Sequence, residues 1–171
     1  MATPVARISA GGWKALLVSP SRKVMSELVP LLAQTLPGLP ITEFQGYPNH
    51  RTLIELKTTT PCNLVFLDVM ADSDAAMSCI PDLLGILPGV RIVVLVSSKQ
   101  QDFILQCLRQ GATEFLVHPF TAEQIQTVAE RLSRLDPVQK GEGAGKVFCV
   151  MPAKGACGAS TIACNLAYQW K

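Results

Sequence analysis

The stretch that decides the fold is residues 93–120, which read VVLVSSKQQDFILQCLRQGATEFLVHPF. It begins with an unbroken apolar run, continues with a helical stretch over residues 101–110, and reaches a second apolar run at residues 115–117. Gly111 follows the helical stretch, a position where glycine is typical of a helix C-terminus. Two apolar runs separated by one helix predict parallel strands that are covered on both faces.

The same alternation extends outward over most of the chain. Strands are predicted at residues 13–18, 41–45, 63–67, 92–96 and 115–117, and helices at residues 22–36, 51–58, 75–87, 101–110 and from Thr121 onward. The strand at 41–45 alternates in polarity, which favours a place near a sheet edge. Ser21 is a plausible N-cap for the first helix. Pro30 is expected to kink or shorten that helix, and Pro81 lies inside the third.

The composition is that of a packed globular protein that is poor in charge. Of the 171 residues, 49% are hydrophobic and 16% are charged, against about 25% charged in a typical domain. No run reaches the roughly 18 apolar residues of a membrane-spanning helix, and residues 1–12 hold no apolar signal-peptide segment, so we expect a cytoplasmic protein. The net charge of +2 comes without a basic stripe on the main body, so nucleic acid is not an expected partner.

The six cysteines contain no CxxC pair and lie in apolar stretches. This pattern is typical of reduced, packed thiols in the cytosol. It does not favour a zinc site.

Residues 137–145, PVQKGEGAG, are rich in glycine with scattered charge and are predicted to form a linker. They divide the chain into an N-terminal tail (residues 1–11), an α/β domain (residues 12–136), the linker, and a further unit (residues 146–171). That last unit is predicted as a strand over residues 146–151, a loop of small residues and the start of a helix at Thr161. Because one βα unit cannot close a core alone, we expect a truncated second domain or a segment that packs on another surface.

The α/β domain resembles the receiver domain of bacterial response regulators, a flavodoxin-like (βα)5 fold around a parallel five-stranded sheet. The resemblance rests on NLVFLDVM around Asp68 and on the opening stretch. It places the phosphate-accepting position at Asp68, the hydroxyl position at Ser97 and the aromatic switch position at Phe115. His118 stands where receivers have a lysine.

Two departures from the receiver pattern concern the chemistry. Ser19 and Pro20 stand where receivers carry an acidic pair that helps to hold Mg²⁺, and Asp68 alone is a poor magnesium site. Without the metal, nothing neutralises the charge on a transferring phosphoryl group. His118 replaces a permanent cation by an imidazole that is largely neutral near pH 7. We therefore expect a pseudo-receiver that is not an enzyme and has no metal or other cofactor.

Other interpretations stay open at these positions. Asp68 is alternatively a solvated carboxylate that caps amides at a strand end, a true phosphate acceptor, or a contact for a partner. His118 is alternatively a satisfied strand-end histidine, a pH sensor or an ion-pair partner of Asp68. Ser97 is most simply a local hydrogen-bonding residue, and Phe115 is either a core residue or a moving switch.

A receiver-like domain without its chemistry is expected to persist as a binding or dimerisation surface. The face formed by the fourth helix, the fifth strand and the fifth helix resembles the surface by which receivers pair. Its candidates for ion pairs across a homodimer are Asp102, Arg109, Glu123, Glu130, Arg131 and Arg134. The alternative is that these charges form an ordinary solvated helix face.

The loop at residues 153–161, AKGACGAST, lies between the last predicted strand and helix, a geometry whose backbone N–H groups favour an anion. It resembles the deviant Walker A loop of the MinD/ParA ATPases. The matching residues are Lys154, Gly155, Gly158, Ser160 and Thr161. The resemblance implies ATP and Mg²⁺ as cofactors of a longer parent protein, with weak hydrolysis because Ala159 replaces a lysine. An ordinary βα turn is the alternative.

Together, the receiver-like domain and this loop resemble the TadZ/CpaE family, which is linked to assembly of Flp/Tad type IV pili and to placing that machinery at the cell pole. The resemblance implies a regulatory and dimerisation module whose partners are a second copy and pilus assembly or polar localisation proteins. Two other functions stay open. One is a receiver that accepts phosphate on Asp68, and the other is a nucleotide-binding chain that works through Lys154 and Ser160.

Overall fold

The apolar strands form one parallel sheet in the computed structural model of the chain, which describes residues 12–97, 101–135, 149–151, 154 and 158–169. The strands are β1 (Ala15–Ser19), β2 (Ile41–Gln45), β3 (Leu64–Asp68), β4 (Arg91–Ser97) and β5 (Glu114–His118). The helices are α1 (Arg22–Thr35), α2 (His50–Thr59), α3 (Ser73–Ile86), α4 (Gln101–Arg109), α5 (Ala122–Leu135) and α6 (Ala159–Gln169). The sheet order is β2-β1-β3-β4-β5 with every neighbouring pair parallel. The predicted flavodoxin-like (βα)5 fold is confirmed.

Helices cover both faces of this sheet and enclose two apolar cores. One core joins α1 and α5 to the sheet through residues such as Leu28, Phe66 and Leu132. The other joins α2, α3 and α4 to the opposite face through residues such as Leu53 and Leu83. The apolar face predicted for α5 is buried as expected, at Ile125, Val128, Ala129 and Leu132.

The two edges of the sheet differ from its centre in burial. All five residues of β1 and of β3 are buried, whereas β2 is only partly covered, as its alternating pattern predicts. β5 buries Leu116 in the core formed with α1 and α5, and Phe115 and Val117 are half-buried against the opposite core, so the prediction that it is covered on both faces is confirmed. Its lower burial follows from its position as the outer strand beside β4 in the described sheet.

The N-terminus of α1 is capped as predicted, whereas prolines inside α1 and α3 do not end these helices. The Ser21 side chain accepts a hydrogen bond from the Val24 N–H and caps α1, as predicted. Pro30 does not shorten α1, which continues to Thr35, because Leu28 and Leu32 on the buried face hold the helix on both sides of it. Pro81 likewise lies inside α3.

The chain divides into two compact units, residues 1–138 and 139–171. In the second unit, α6 begins two residues before the predicted start and has no buried residue among its members. Residues 149–151, the described part of the strand predicted at 146–151, lie in no strand, so the prediction is wrong there, since a strand requires a hydrogen-bonded neighbour. The predicted linker lies outside the described residues.

Five described cysteines are free thiols, as predicted. Cys79 and Cys107 are buried and Cys62 is half-buried. Cys149 and Cys164 are exposed, so their predicted packing is wrong, because the described part of the second unit offers them no core. Cys157 lies outside the described residues.

None of the helices in the described ranges combines the length and hydrophobicity that a membrane span requires.

Candidate functional site

The predicted site residues of the first unit lie at the carboxyl ends of four adjacent strands. Ser19 ends β1, Asp68 ends β3, Ser97 ends β4 and His118 ends β5. Because parallel strands place their carboxyl ends at one edge, the sheet brings together residues that are up to about a hundred positions apart in the chain. Ser97 pairs with His118 in register.

Asp68 is the buried centre of this edge. Its side chain is 0% exposed, and its Oδ2 accepts a hydrogen bond of 2.7 Å from the Ser19 hydroxyl. Its Oδ1 accepts a hydrogen bond of 2.9 Å from the Met70 N–H. The expectation that Asp68 caps a nearby amide is confirmed, whereas the expectation of a solvated carboxylate is wrong, because Ser19 and the β3–α3 loop enclose it.

Ser19 is also fully buried and is held by its own loop. Its Oγ accepts a hydrogen bond of 3.0 Å from the Ser21 N–H. The hydroxyl has one proton, which the shorter contact assigns to Asp68, and the Ser21 carbonyl lies 3.2 Å away as a second acceptor. The position that carries acid in receivers therefore donates to the aspartate here.

An open pocket of about 290 Å³ lies beside Asp68, lined by Ser21, Lys23, Val24, Glu27, Asp68, Met70, Ala71 and His118. His118 Nε2 lies 3.1 Å from Glu27 Oε2, and Lys23 Nζ lies 4.0 Å from Glu27 Oε1. The carboxylate that His118 contacts in this pocket is therefore Glu27. The alternative that His118 forms an ion pair with Asp68 is wrong. Its ring also packs edge-on against Phe120, with centroids 5.3 Å apart.

Tyr47, in the loop after β2, is a member of this edge that the sequence analysis missed. Its hydroxyl donates a hydrogen bond of 2.7 Å to the Asp68 carbonyl and accepts one of 3.3 Å from the Asp72 N–H. Burial raises the pKa of Tyr47 to about 12. The available signal was an aromatic residue between glycine and proline in a loop that follows a strand end.

Ser97 and Phe115 are half-buried. Phe115 packs against the core formed with α2, α3 and α4, as expected of a core residue. The receiver roles of Ser97 and Phe115 stay predictions.

No protein-family model matches the chain. The chemotaxis protein CheY of Thermotoga maritima is 22% identical over 86 residues, which are 50% of this chain and 72% of CheY. A pilus assembly protein, CpaE, of Burkholderia thailandensis superposes with a TM-score of 0.58 at 16% identity and covers 71% of this chain and 98% of its own. A pilus assembly-related protein of Burkholderia pseudomallei gives 0.62 at 16% identity, over 72% and 91% of the two chains. The receiver domain of NtrX from Brucella abortus gives 0.57 at 18% identity, over 68% and 95%.

The first unit has the receiver fold. The superpositions establish the fold alone, and the residues at the edge decide what it can do. The receiver resemblance implies Mg²⁺ beside Asp68, which here is 0% exposed and accepts hydrogen bonds from Ser19 and Met70. Glu27, the other carboxylate that lines the pocket, contacts His118 and Lys23. Within the described residues no group of three His, Cys, Asp or Glu side chains could hold a metal ion. The donor set does not fit Mg²⁺.

The face predicted for dimerisation lies along one edge of the receiver domain. Arg109, Glu123, Glu130 and Arg134 are exposed, and Leu105 on α4 is 57% exposed. Arg131 instead forms an ion pair of 3.2 Å with Glu114 of β5 in the same chain, so it is engaged before any partner binds. The side chain of Asp102 lies outside the described residues.

The residues predicted to bind nucleotide lie in the second unit. Lys154 and Gly158 are exposed, and Gly158 has a φ of 75° just before α6. Ser160 and Thr161 lie exposed in the first turn of that helix. Gly155 lies outside the described residues. Nucleotide binding by this segment stays a prediction.

Proposed function

We propose that this chain is a regulatory and dimerisation module of a Flp/Tad-type pilus assembly and polar localisation protein, and that its receiver domain works without phosphoryl transfer. One observation carries the second part of the proposal. The Ser19 hydroxyl donates to Asp68 from the strand end where a metal-binding receiver presents acid. Asp68 is therefore a structural hydrogen-bond acceptor.

The chemistry of the pocket supports this assignment. Phosphoryl transfer to a carboxylate requires an accessible oxygen and a cation that stabilises the negative charge of the transition state. Asp68 is 0% exposed and both of its oxygens are engaged. Lys23, a cation that lines the pocket, lies 4.0 Å from a Glu27 oxygen.

The pilus context is supported by the similarity of the fold to two pilus assembly proteins, one of which is covered over 98% of its length. The proposed dimer uses the α4, β5 and α5 face. This face combines an exposed apolar residue, Leu105, with exposed charges of both signs. Such a mixture is typical of a modest, reversible protein interface.

The test of phosphorylation is incubation of the full chain with Mg²⁺ and acetyl phosphate, followed by intact-mass measurement. A receiver that is known to accept phosphate serves as the positive control, and Asp68→Asn is the matched variant. We expect no adduct on the chain under conditions that fully modify the control. A stoichiometric phosphate adduct that Asp68→Asn abolishes would overturn the proposal.

The test of dimerisation is sedimentation of the chain over a range of concentrations. We expect a concentration-dependent dimer that Leu105→Glu weakens by at least tenfold, since a buried charge replaces an apolar contact. Ile54→Glu is the control, because Ile54 is similarly exposed, at 49%, but lies on α2 outside the proposed face. A strict monomer at high concentration contradicts this part of the proposal.

A further inference from the structure

We infer that Ser19, Tyr47 and Asp68 form a lock that ties the ends of β1 and β3 and the β2–α2 loop into one cooperative unit and holds this edge of the receiver sheet in a single conformation. The inference rests on the proposed function and extends it. The proposed module has no phosphorylation switch. A fixed conformation around Asp68 then keeps its partner surface in one state at all times. Ser19, Tyr47 and Asp68 are called the loop lock below.

The loop lock is a closed ring of hydrogen bonds between the last residues of β1 and β3 and the β2–α2 loop. The Ser19 hydroxyl donates to the Asp68 carboxylate at 2.7 Å, and the Tyr47 hydroxyl donates to the Asp68 carbonyl at 2.7 Å. The ring closes through the main chain, because the Gly46 N–H donates to the Ser19 carbonyl at 3.0 Å. Each of these three segments therefore contacts both of the others.

Two amides of the β3–α3 loop depend on this ring. The Met70 N–H donates to the Asp68 carboxylate, and the Asp72 N–H donates to the Tyr47 hydroxyl. Asp72 in turn caps α3, because its side chain accepts a hydrogen bond from the Ala75 N–H. The start of α3 is thus connected to β1 and to the loop after β2 by polar contacts in addition to its apolar packing.

Burial makes these contacts interdependent. Ser19 and Asp68 are 0% exposed, and Tyr47 is half-buried against the α2–α3 core. Inside a protein, hydrogen bonds in a chain polarise one another, and a buried group that loses its partner is poorly solvated. Removal of one member is therefore expected to loosen the bonds of the others, even where the removed atom does not touch them.

The test is residue-resolved amide hydrogen exchange by NMR on the full chain. The variants are Tyr47→Phe, Ser19→Ala and the double variant, and the amides followed are those of Met70 and Asp72. Tyr168→Phe and Ser26→Ala are matched controls, since Tyr168 is 80% exposed and the Ser26 hydroxyl makes only an exposed local bond. The controls are expected to leave both amides unchanged.

The loop lock predicts crossed effects. Tyr47→Phe is expected to accelerate exchange of the Met70 amide by about tenfold, although the Met70 amide bonds to the Asp68 carboxylate and not to the Tyr47 hydroxyl. Ser19→Ala is expected to accelerate exchange of the Asp72 amide by a similar factor. The double variant is expected to accelerate each amide by less than the product of the two single effects.

Strictly local effects would overturn the inference: Tyr47→Phe changing only the Asp72 amide, or multiplicative effects in the double variant. Tyr47→Phe removes one oxygen and keeps the ring, so it tests the inference even if Ser19→Ala does not fold. Uncoupled amides would refute the loop lock and leave the proposed function intact. A phosphate adduct on Asp68 would refute the proposed function whatever the exchange rates.

Discussion

Replacement of Asp68 separates a structural aspartate from one that serves phosphoryl chemistry. Asp68→Ala removes the acceptor of the Met70 N–H and the charged acceptor of the Ser19 hydroxyl. Ser19 retains the Ser21 carbonyl at 3.2 Å, so the Met70 amide is the group left without a partner. With about 1–3 kcal/mol for the unpartnered amide and a further contribution from the lost charge-assisted bond, Asp68→Ala should destabilise the domain by about 2–4 kcal/mol.

Asp68→Asn should cost much less, about 1 kcal/mol, because the amide can satisfy the same neighbours. Its Oδ1 can accept from the Met70 N–H while its Nδ2 donates to Ser19 Oγ. The Ser19 hydroxyl then turns to the Ser21 carbonyl. The geometry therefore tolerates loss of the negative charge but not loss of the polar group.

Urea denaturation followed by far-UV circular dichroism measures the free energy of unfolding of both variants and of the parent chain. In thermal denaturation, the Tm of Asp68→Ala should be about 10 °C below that of the parent. The reasoning is refuted if Asp68→Ala is as stable as the parent, which would mean that the buried contacts contribute nothing. It is also refuted if Asp68→Asn is as destabilised as Asp68→Ala. That result is expected of a carboxylate whose charge holds a cation.

Three further perturbations test other features of the fold. Gly111→Ala should destabilise the chain by about 1–3 kcal/mol in urea denaturation, because φ at Gly111 is +109° and the new Cβ would lie 2.5 Å from the Leu84 side chain of α3. The control Gly85→Ala, in open space within α3, should be neutral or stabilising. Equal effects of the two substitutions would contradict the argument. The free energy of unfolding should fall as pH rises from about 10 to 12, because tyrosine in the unfolded chain ionises near 10 whereas burial raises the pKa of Tyr47 to about 12. Tyr47→Phe should remove that part of the pH dependence, and an unchanged profile in this variant would contradict the prediction. In variants that keep a single cysteine, iodoacetamide should modify the exposed Cys164 rapidly and the buried Cys107 slowly, because burial raises the pKa of the Cys107 thiol to about 11. Equal rates would show that Cys107 is not packed as described.

Local patterns carried most of the fold. The β2 strand was predicted with its observed bounds, Ile41–Gln45, because alternation of polarity is a property of neighbouring residues. The Ser21 cap and the end of α4 before Gly111 were predicted for the same reason. The predicted shortening of α1 at Pro30 is wrong, because the sequence shows the lost N–H but not the packing of Leu28 and Leu32 on both sides of it.

The candidate site was predicted as a set of positions but not as a set of contacts. Asp68 was placed at the carboxyl edge, yet its burial was missed. The contact of His118 with Glu27 joins residues 91 positions apart. Tyr47 was missed because its hydrogen bonds reach a different loop.

The sequence by itself determined that the chain carries Ser19 and Pro20 at the end of its first strand, where the receiver resemblance implies acid. The tertiary structure decided which residues contact one another at this edge. Ser19 and Asp68 are 49 positions apart and meet because β1 and β3 are adjacent in the sheet. Strand order follows from how the apolar faces of all the elements pack together, and no local pattern encodes it. The hydrogen bond between Ser19 and Asp68 therefore forms only when the sheet has formed.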